Sequence, residues 1–173
     1  AVIVGEAFGL GQNVVHGFDA SGDVRTAMLR GDVHAMWGSL GSALEGIEAG
    51  DHKVIMHSEK TPPAGIDAPS VWDLVEGSEN PERTQKILNA WSALNAVGRP
   101  VAAPPGVPED RLAFLRDAFE QAMNDPEFVE GATSSNRELS FASGDEMAVI
   151  AKEATELDED INALFVKAIR GEL

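Results

Sequence analysis

The sequence contains no cysteine. That excludes disulfides, thiolate metal sites and cysteine nucleophiles. Only 13 of the 173 residues are lysine or arginine, against 29 aspartates and glutamates, for a formal net charge of −16. A chain this acidic is a poor partner for nucleic-acid phosphates, which require a basic surface. It also exerts no long-range pull on small anions, so any anion it binds must be held by local donors. No apolar run approaches the roughly 20 residues that cross a bilayer. Glycine-based catalytic motifs are missing too. Gly38-Ser39 lacks the flanking pattern of a nucleophile elbow. The stretch Gly5 to Gly11 has glycines in the wrong order for a dinucleotide loop, and no Walker lysine follows it. His16, His34, His52 and His57 lack metal-ligand spacing; His52 and His57, five apart, would point to opposite faces of a strand. The expectation is therefore no enzyme, no cofactor and no metal.

What is present suits a folded protein. Hydrophobic residues make up 43% and charged residues 24%, which are globular values. The length suffices for one ordinary domain with a core. Proline and glycine punctuate the chain clearly. Pro104, Pro105 and Pro108 fix φ and remove amide donors, so neither a helix nor a central strand runs through them. After Pro108, the acids Glu109 and Asp110 favour a helix start. Leu112, Leu115, Phe119, Ala122 and Met123 then form one apolar stripe at helical spacing. Asp125-Pro126 ends that helix and opens a second short one.

Alternating strand and helix patterns predict an α/β fold, a mostly parallel sheet covered by helices. Strands are expected over Asn13–Phe18, from Gly31 to Trp37, over Lys53–His57 and over Arg137–Phe141. Helices are expected over Gly22–Arg30, Ser39–Gly50, Ser70–Glu76 and Glu82–Val97. The first ten residues fit either a strand or a helix. Ser143-Gly-Asp-Glu146 is a capping-box pattern. Behind it, Met147, Ile150, Ala154, Leu157, Ile161, Leu164 and Ala168 follow at spacings of three and four, the seam of one long terminal helix. Such a seam packs either across its own domain or against another subunit. The second option defines an alternative function, an oligomeric interaction module.

Several stretches, in order, resemble the extracytoplasmic solute receptors of tripartite tricarboxylate transporters. Gly98-Arg-Pro-Val-Ala-Ala-Pro-Pro-Gly-Val-Pro-Glu-Asp-Arg111 and the helix after it resemble the C-terminal part of that family. Val15-His-Gly-Phe-Asp-Ala-Ser-Gly-Asp23 looks like its V-x-G-Y/F-x-G-S loop. Ala27-Met-Leu-Arg-Gly-Asp-Val33 resembles its A-x-x-R/G-G-E/D-V-D turn, with His34 in place of a small or acidic residue. Trp37-Gly-Ser39 falls where the next ligand-side loop begins. Ile66-Asp-Ala-Pro-Ser-Val-Trp-Asp73 is similar to P-D-V-P-T-V-x-E, with Ala68 departing from it.

The resemblance implies a partial two-lobed fold of the periplasmic-binding-protein type II. Residues 1–97 would belong to the second lobe and residues 98–173 to the returning part of the first, which includes the terminal helix. It implies a chain that lacks an upstream portion and acts outside the cytoplasm, in the periplasm. Its partners would be a small carboxylate or amino-acid-like solute and the membrane components of the transporter; the terminal seam, read as an intersubunit contact, would add a homo-oligomer. Carboxylates bind well at helix amino-termini, where free amides and the helix dipole coincide. By family position, Gly17, Phe18, Ser21, Gly22, Trp37, Gly38 and Ser39 would line the ligand, with Phe18 and Trp37 as walls. Asp19 opposes an anion there unless the ligand carries an amine.

Overall fold

Every regular element among the described residues is helical. The computed structural model describes all residues except Asn136 and Glu138. In chain order it contains α1 (Val2–Ala7), α2 (Ser21–Arg30), α3 (Leu40–Glu48), a 3-10 turn (Val75–Gly77), α4 (Pro81–Ala96), α5 (Glu109–Met123), α6 (Pro126–Ser134), α7 (Gly144–Thr155) and α8 (Glu159–Arg170).

The expected parallel sheet is not formed. The β pairing among the described residues is one isolated parallel bridge, His57 to Ser70. Segments 13–18, 33–37 and 53–56 carry no regular structure. The strand expected over Arg137–Phe141 includes Glu138, outside the described residues, and its remaining residues join no ladder. The physical reason is that a strand's backbone hydrogen bonds are made to a neighbour, and these segments meet none. The α/β, periplasmic-binding-protein-like architecture is accordingly corrected to an all-helical one.

Local features set most helix ends. Asp125 caps α6, its Oδ1 accepting the amides of Glu127 at 3.0 Å and Phe128 at 3.1 Å, with Pro126 in the first turn. Asn80 Oδ1 accepts the Arg83 amide at 3.1 Å at the start of α4. Gly31 closes α2 in the left-handed region at φ 81°, and the Asp32 amide reaches back to the Ala27 carbonyl at 2.9 Å. At α7 the capping box forms: the Glu146 amide donates to Ser143 Oγ at 3.3 Å and the Ser143 amide to the Glu146 carboxylate at 2.7 Å.

Hydrogen bonds from the Ser143 hydroxyl and amide hold the Glu146 carboxyl below its ordinary value. Its contribution to α7 is therefore present above the ordinary carboxylate pKa and lost as pH falls through the lowered one. Ser143→Ala should cost about 1 kcal/mol. It should also let Glu146 titrate nearer its ordinary value, which side-chain carboxyl NMR across an acid titration would read.

The chain divides into two compact units, Ala1–Trp91 with Asp158–Leu173, and Ser92–Leu157. In the first unit, Thr84, Ile87 and Leu88 on α4 and Ile161, Leu164 and Phe165 on α8 are buried at helical spacing, together with Val4 and Ala7 of α1. α1 packs on α8. The loop from His57 to Asp73 is tied to itself. The Ser70 hydroxyl donates to the Glu59 carbonyl and Trp72 Nε1 to the Ser58 carbonyl, both at 2.7 Å.

Within that loop His57 is buried, and neither ring nitrogen has a hydrogen-bond partner. A buried polar group without a partner costs about 1–3 kcal/mol. Replacing His57 by Met should therefore raise the melting temperature of this unit by several degrees; a fall would show that the ring is satisfied in solution.

The single long terminal helix is also corrected. It breaks between Thr155 and Glu159, where Glu156 leaves helical geometry and Asp158 takes extended backbone as the cap position of α8. Glu156, Asp158, Glu159 and Asp160 repel one another in a continuous helix. At the start of a new helix, Glu159 and Asp160 instead meet its positive end, with Lys167 and Arg170 in its last turn. The seam splits with the break: Met147, Ile150, Ala154 and Leu157 lie in the second unit, Ile161, Leu164 and Ala168 in the first.

The second unit holds α5, α6 and α7, and α5 packs on α6. Ala154 is its one fully buried apolar residue among the described residues. Phe119 meets Phe141 with ring centroids 6.2 Å apart, and Arg116 pairs with Asp145 at 3.0 Å.

Candidate open helix turn at Ser39

Two helix starts carry the residues singled out in the sequence, and they differ in electrostatics. At α2, Gly17 adopts φ 95° and Phe18 is exposed. The cap position is Ala20, which has no acceptor to offer. In its place the Asp23 carboxylate turns back and accepts the Ala20 amide at 3.1 Å. Ser21 is exposed and Gly22 half-buried. With Asp23 over this turn and Asp19 exposed beside it, the α2 start is closed to an anion by charge.

At α3 the arrangement is open. Ser39 stands at the cap position in extended backbone, φ −70° and ψ 140°, and its hydroxyl makes no bond to the helix. The first turn carries no acidic residue. Ser42 Oγ donates to the Ser39 carbonyl at 2.9 Å, and the first amides of α3 have no carbonyl within the helix to meet. Gly38 and Ser39 are exposed. Trp37 is half-buried and rests edge-on against Trp91, with centroids 5.4 Å apart and planes at 80°. Trp37 is thereby fixed next to the turn rather than loose in solvent.

Of the predicted ligand set, Trp37, Gly38 and Ser39 are consecutive residues leading into α3. No hydrogen bond or ring contact among the described residues joins them to Gly17, Phe18, Ser21 or Gly22. Trp91 was not singled out from the sequence. Its only trace there is its position seven residues after Thr84 on the α4 stripe, which says buried and nothing more. Among the described residues, no group of three histidine, aspartate or glutamate side chains gathers to hold a metal. No helix of the described residues is long and apolar enough to cross a membrane. Comparison with protein-family models, with curated protein sequences and with solved structures finds no match to this chain.

Proposed function

We propose that this chain is a segment of an extracytoplasmic solute receptor of a tripartite tricarboxylate transporter. It holds one carboxylate of a small solute at the open first turn of α3 and performs no catalysis. The observation that carries the reading is the uncapped turn at Ser39: a hydroxyl that makes no cap bond, the unpaired amides of a helix start, a helix dipole and no acidic residue in the first turn. Support from the sequence is the ordered set of receptor-like motifs, of which Trp37-Gly-Ser39 is one. The reading does not draw on a lobed α/β fold. With a net charge of −16, the chain attracts an anion only through such local donors.

Ser39→Asp tests this cleanly. Aspartate caps a helix at least as well as serine, so α3 stays formed. The new carboxylate also fills the turn with negative charge. Calorimetric titration of the full chain with citrate, tartrate, glutarate and glutamate should find binding by at least one, weakened tenfold or more in Ser39→Asp. Equal affinity in the variant, or no binding by any of the four, would sink the proposal.

A further inference from the structure

The second unit presents an apolar face with nothing of its own to cover it. On α5, Phe114 is 70% and Leu115 51% exposed, and on the adjoining α6 Phe128 is 50% exposed with Val129 also open to solvent. Helical spacing puts Phe114, Leu115, Ala118 and Ala122 on one side of α5, and Phe128, Val129 and Ala132 on one side of α6. Leu112 and Met123, half-buried, turn the other edge of the α5 stripe inward. With Phe119, the exposed apolar side chains of the two adjoining helices sum to on the order of 500 Å². Beside Phe128 the surface is concave, lined by Gly131, Ala132, Arg137 and Leu139.

The rim is acidic. Asp110, Asp117 and Glu120 on α5 and Asp125, Glu127 and Glu130 at α6 are all exposed. Of the two bases on α5, Arg116 is held by Asp145 at 3.0 Å, and Arg111 lies in the first turn. A second copy of this chain would bring an equally acidic rim against this one, which costs free energy across a low-dielectric contact. A helix with an apolar face and lysines or arginines along its flanks satisfies both features at once.

We propose that the α5–α6 face is a docking surface for a cationic amphipathic helix of another polypeptide. Phe114 and Phe128 serve as its apolar anchors, and Asp110, Asp117, Glu127 and Glu130 as its charge partners. The inference concerns the second unit only and does not rest on the solute reading.

The probe is a labelled leucine–lysine amphipathic peptide about five turns long. It would be titrated into the full chain by fluorescence anisotropy, beside a leucine–glutamate peptide with the same apolar face. The leucine–lysine peptide should bind saturably, with a Kd on the order of micromolar that rises with salt; the leucine–glutamate peptide should not bind. Phe114→Ala with Phe128→Ala should weaken binding tenfold or more, as truncated anchors do. Both positions are half or more exposed, so the fold should survive the change, and circular dichroism would check it. Asp117→Lys with Glu130→Lys should also weaken binding, whereas Glu45→Lys with Glu48→Lys on α3 should leave it within twofold. Four results would overturn the proposal: no saturable binding, equal binding of the two peptides, indifference to the phenylalanine changes, or a wild-type dimer that those changes dissociate. The last would make a second copy the occupant.

Discussion

Replacing Leu164 by Asp is expected to unfold the first unit. Leu164 is 8% exposed, between Ile161 and Phe165 on the inward side of α8, the helix that packs on α1. Deleting a buried leucine costs about 2–5 kcal/mol. An unpaired carboxylate left in its place adds several more, since nothing there compensates the lost hydration. That exceeds half the total stability of an ordinary domain, about 5–15 kcal/mol. Ile169, in the last turn of the same helix and 85% exposed, is the control: Ile169→Asp should cost no more than about 1 kcal/mol, much of it from a carboxylate at the negative end of the helix. Urea titration followed by circular dichroism would separate the two. The comparison also decides the alternative function. If the C-terminal seam were an intersubunit contact, Leu164→Asp would give a folded monomer from an oligomer. If α8 covers its own unit, the variant loses structure and no oligomer is involved.

Thr84→Val should cost about 1–3 kcal/mol despite preserving shape. Thr84 is buried on α4, and its Oγ1 donates to the Ala7 carbonyl at 2.7 Å across 77 residues of chain. α1 has only six residues, so its last carbonyls have few partners within the helix. The threonine hydroxyl supplies one. Valine would fill the same space and leave the buried Ala7 carbonyl without a donor. Thr84→Ser keeps the donor and loses only a methyl, so it should cost about 1 kcal/mol. Amide exchange would locate the damage: protection in residues 2–7 should fall in Thr84→Val and survive in Thr84→Ser. Equal stability of valine and wild type would mean that the carbonyl finds water.

The helices were legible because their causes are short-range. Asp125-Pro126, Ser143 with Glu146, Gly31 after Arg30, and the stripe of α5 each lie within a few residues of one another. They came out within a residue or two of where spacing and caps put them. The segment Ser70–Glu76 was read as a helix and shortened to turns with a 3-10 end. There, the Ser70 and Val71 carbonyls accept the amides of Asp73 and Leu74 three residues on, in tight turns, while the Ser70 and Trp72 side chains donate to the Glu59 and Ser58 carbonyls. The strands failed for the opposite reason. Val14, Val15, Val54 and Ile55 have strand-like side chains, but a ladder needs a second segment in register, and no local pattern supplies one.

The site divides in the same way. That residues 37–42 form a glycine- and serine-rich helix start is plain from the sequence. That Ser39 leaves its hydroxyl unused while Asp23 blocks the equivalent turn of α2 is not. Both starts read as serine beside glycine, and only the backbone geometry separates them.

By itself, then, the sequence determined most helix starts and their caps, the absence of cysteine chemistry and a net charge unsuited to nucleic-acid phosphates. These follow from composition and from contacts between near neighbours. Only the tertiary structure decided that the extended segments stay unpaired, that the terminal seam breaks at its run of acids and shares itself between two units, and that the apolar stripe of α5 faces solvent. Each of those outcomes depends on what lies opposite a residue in space. Apolar periodicity states that a face wants cover but not what covers it.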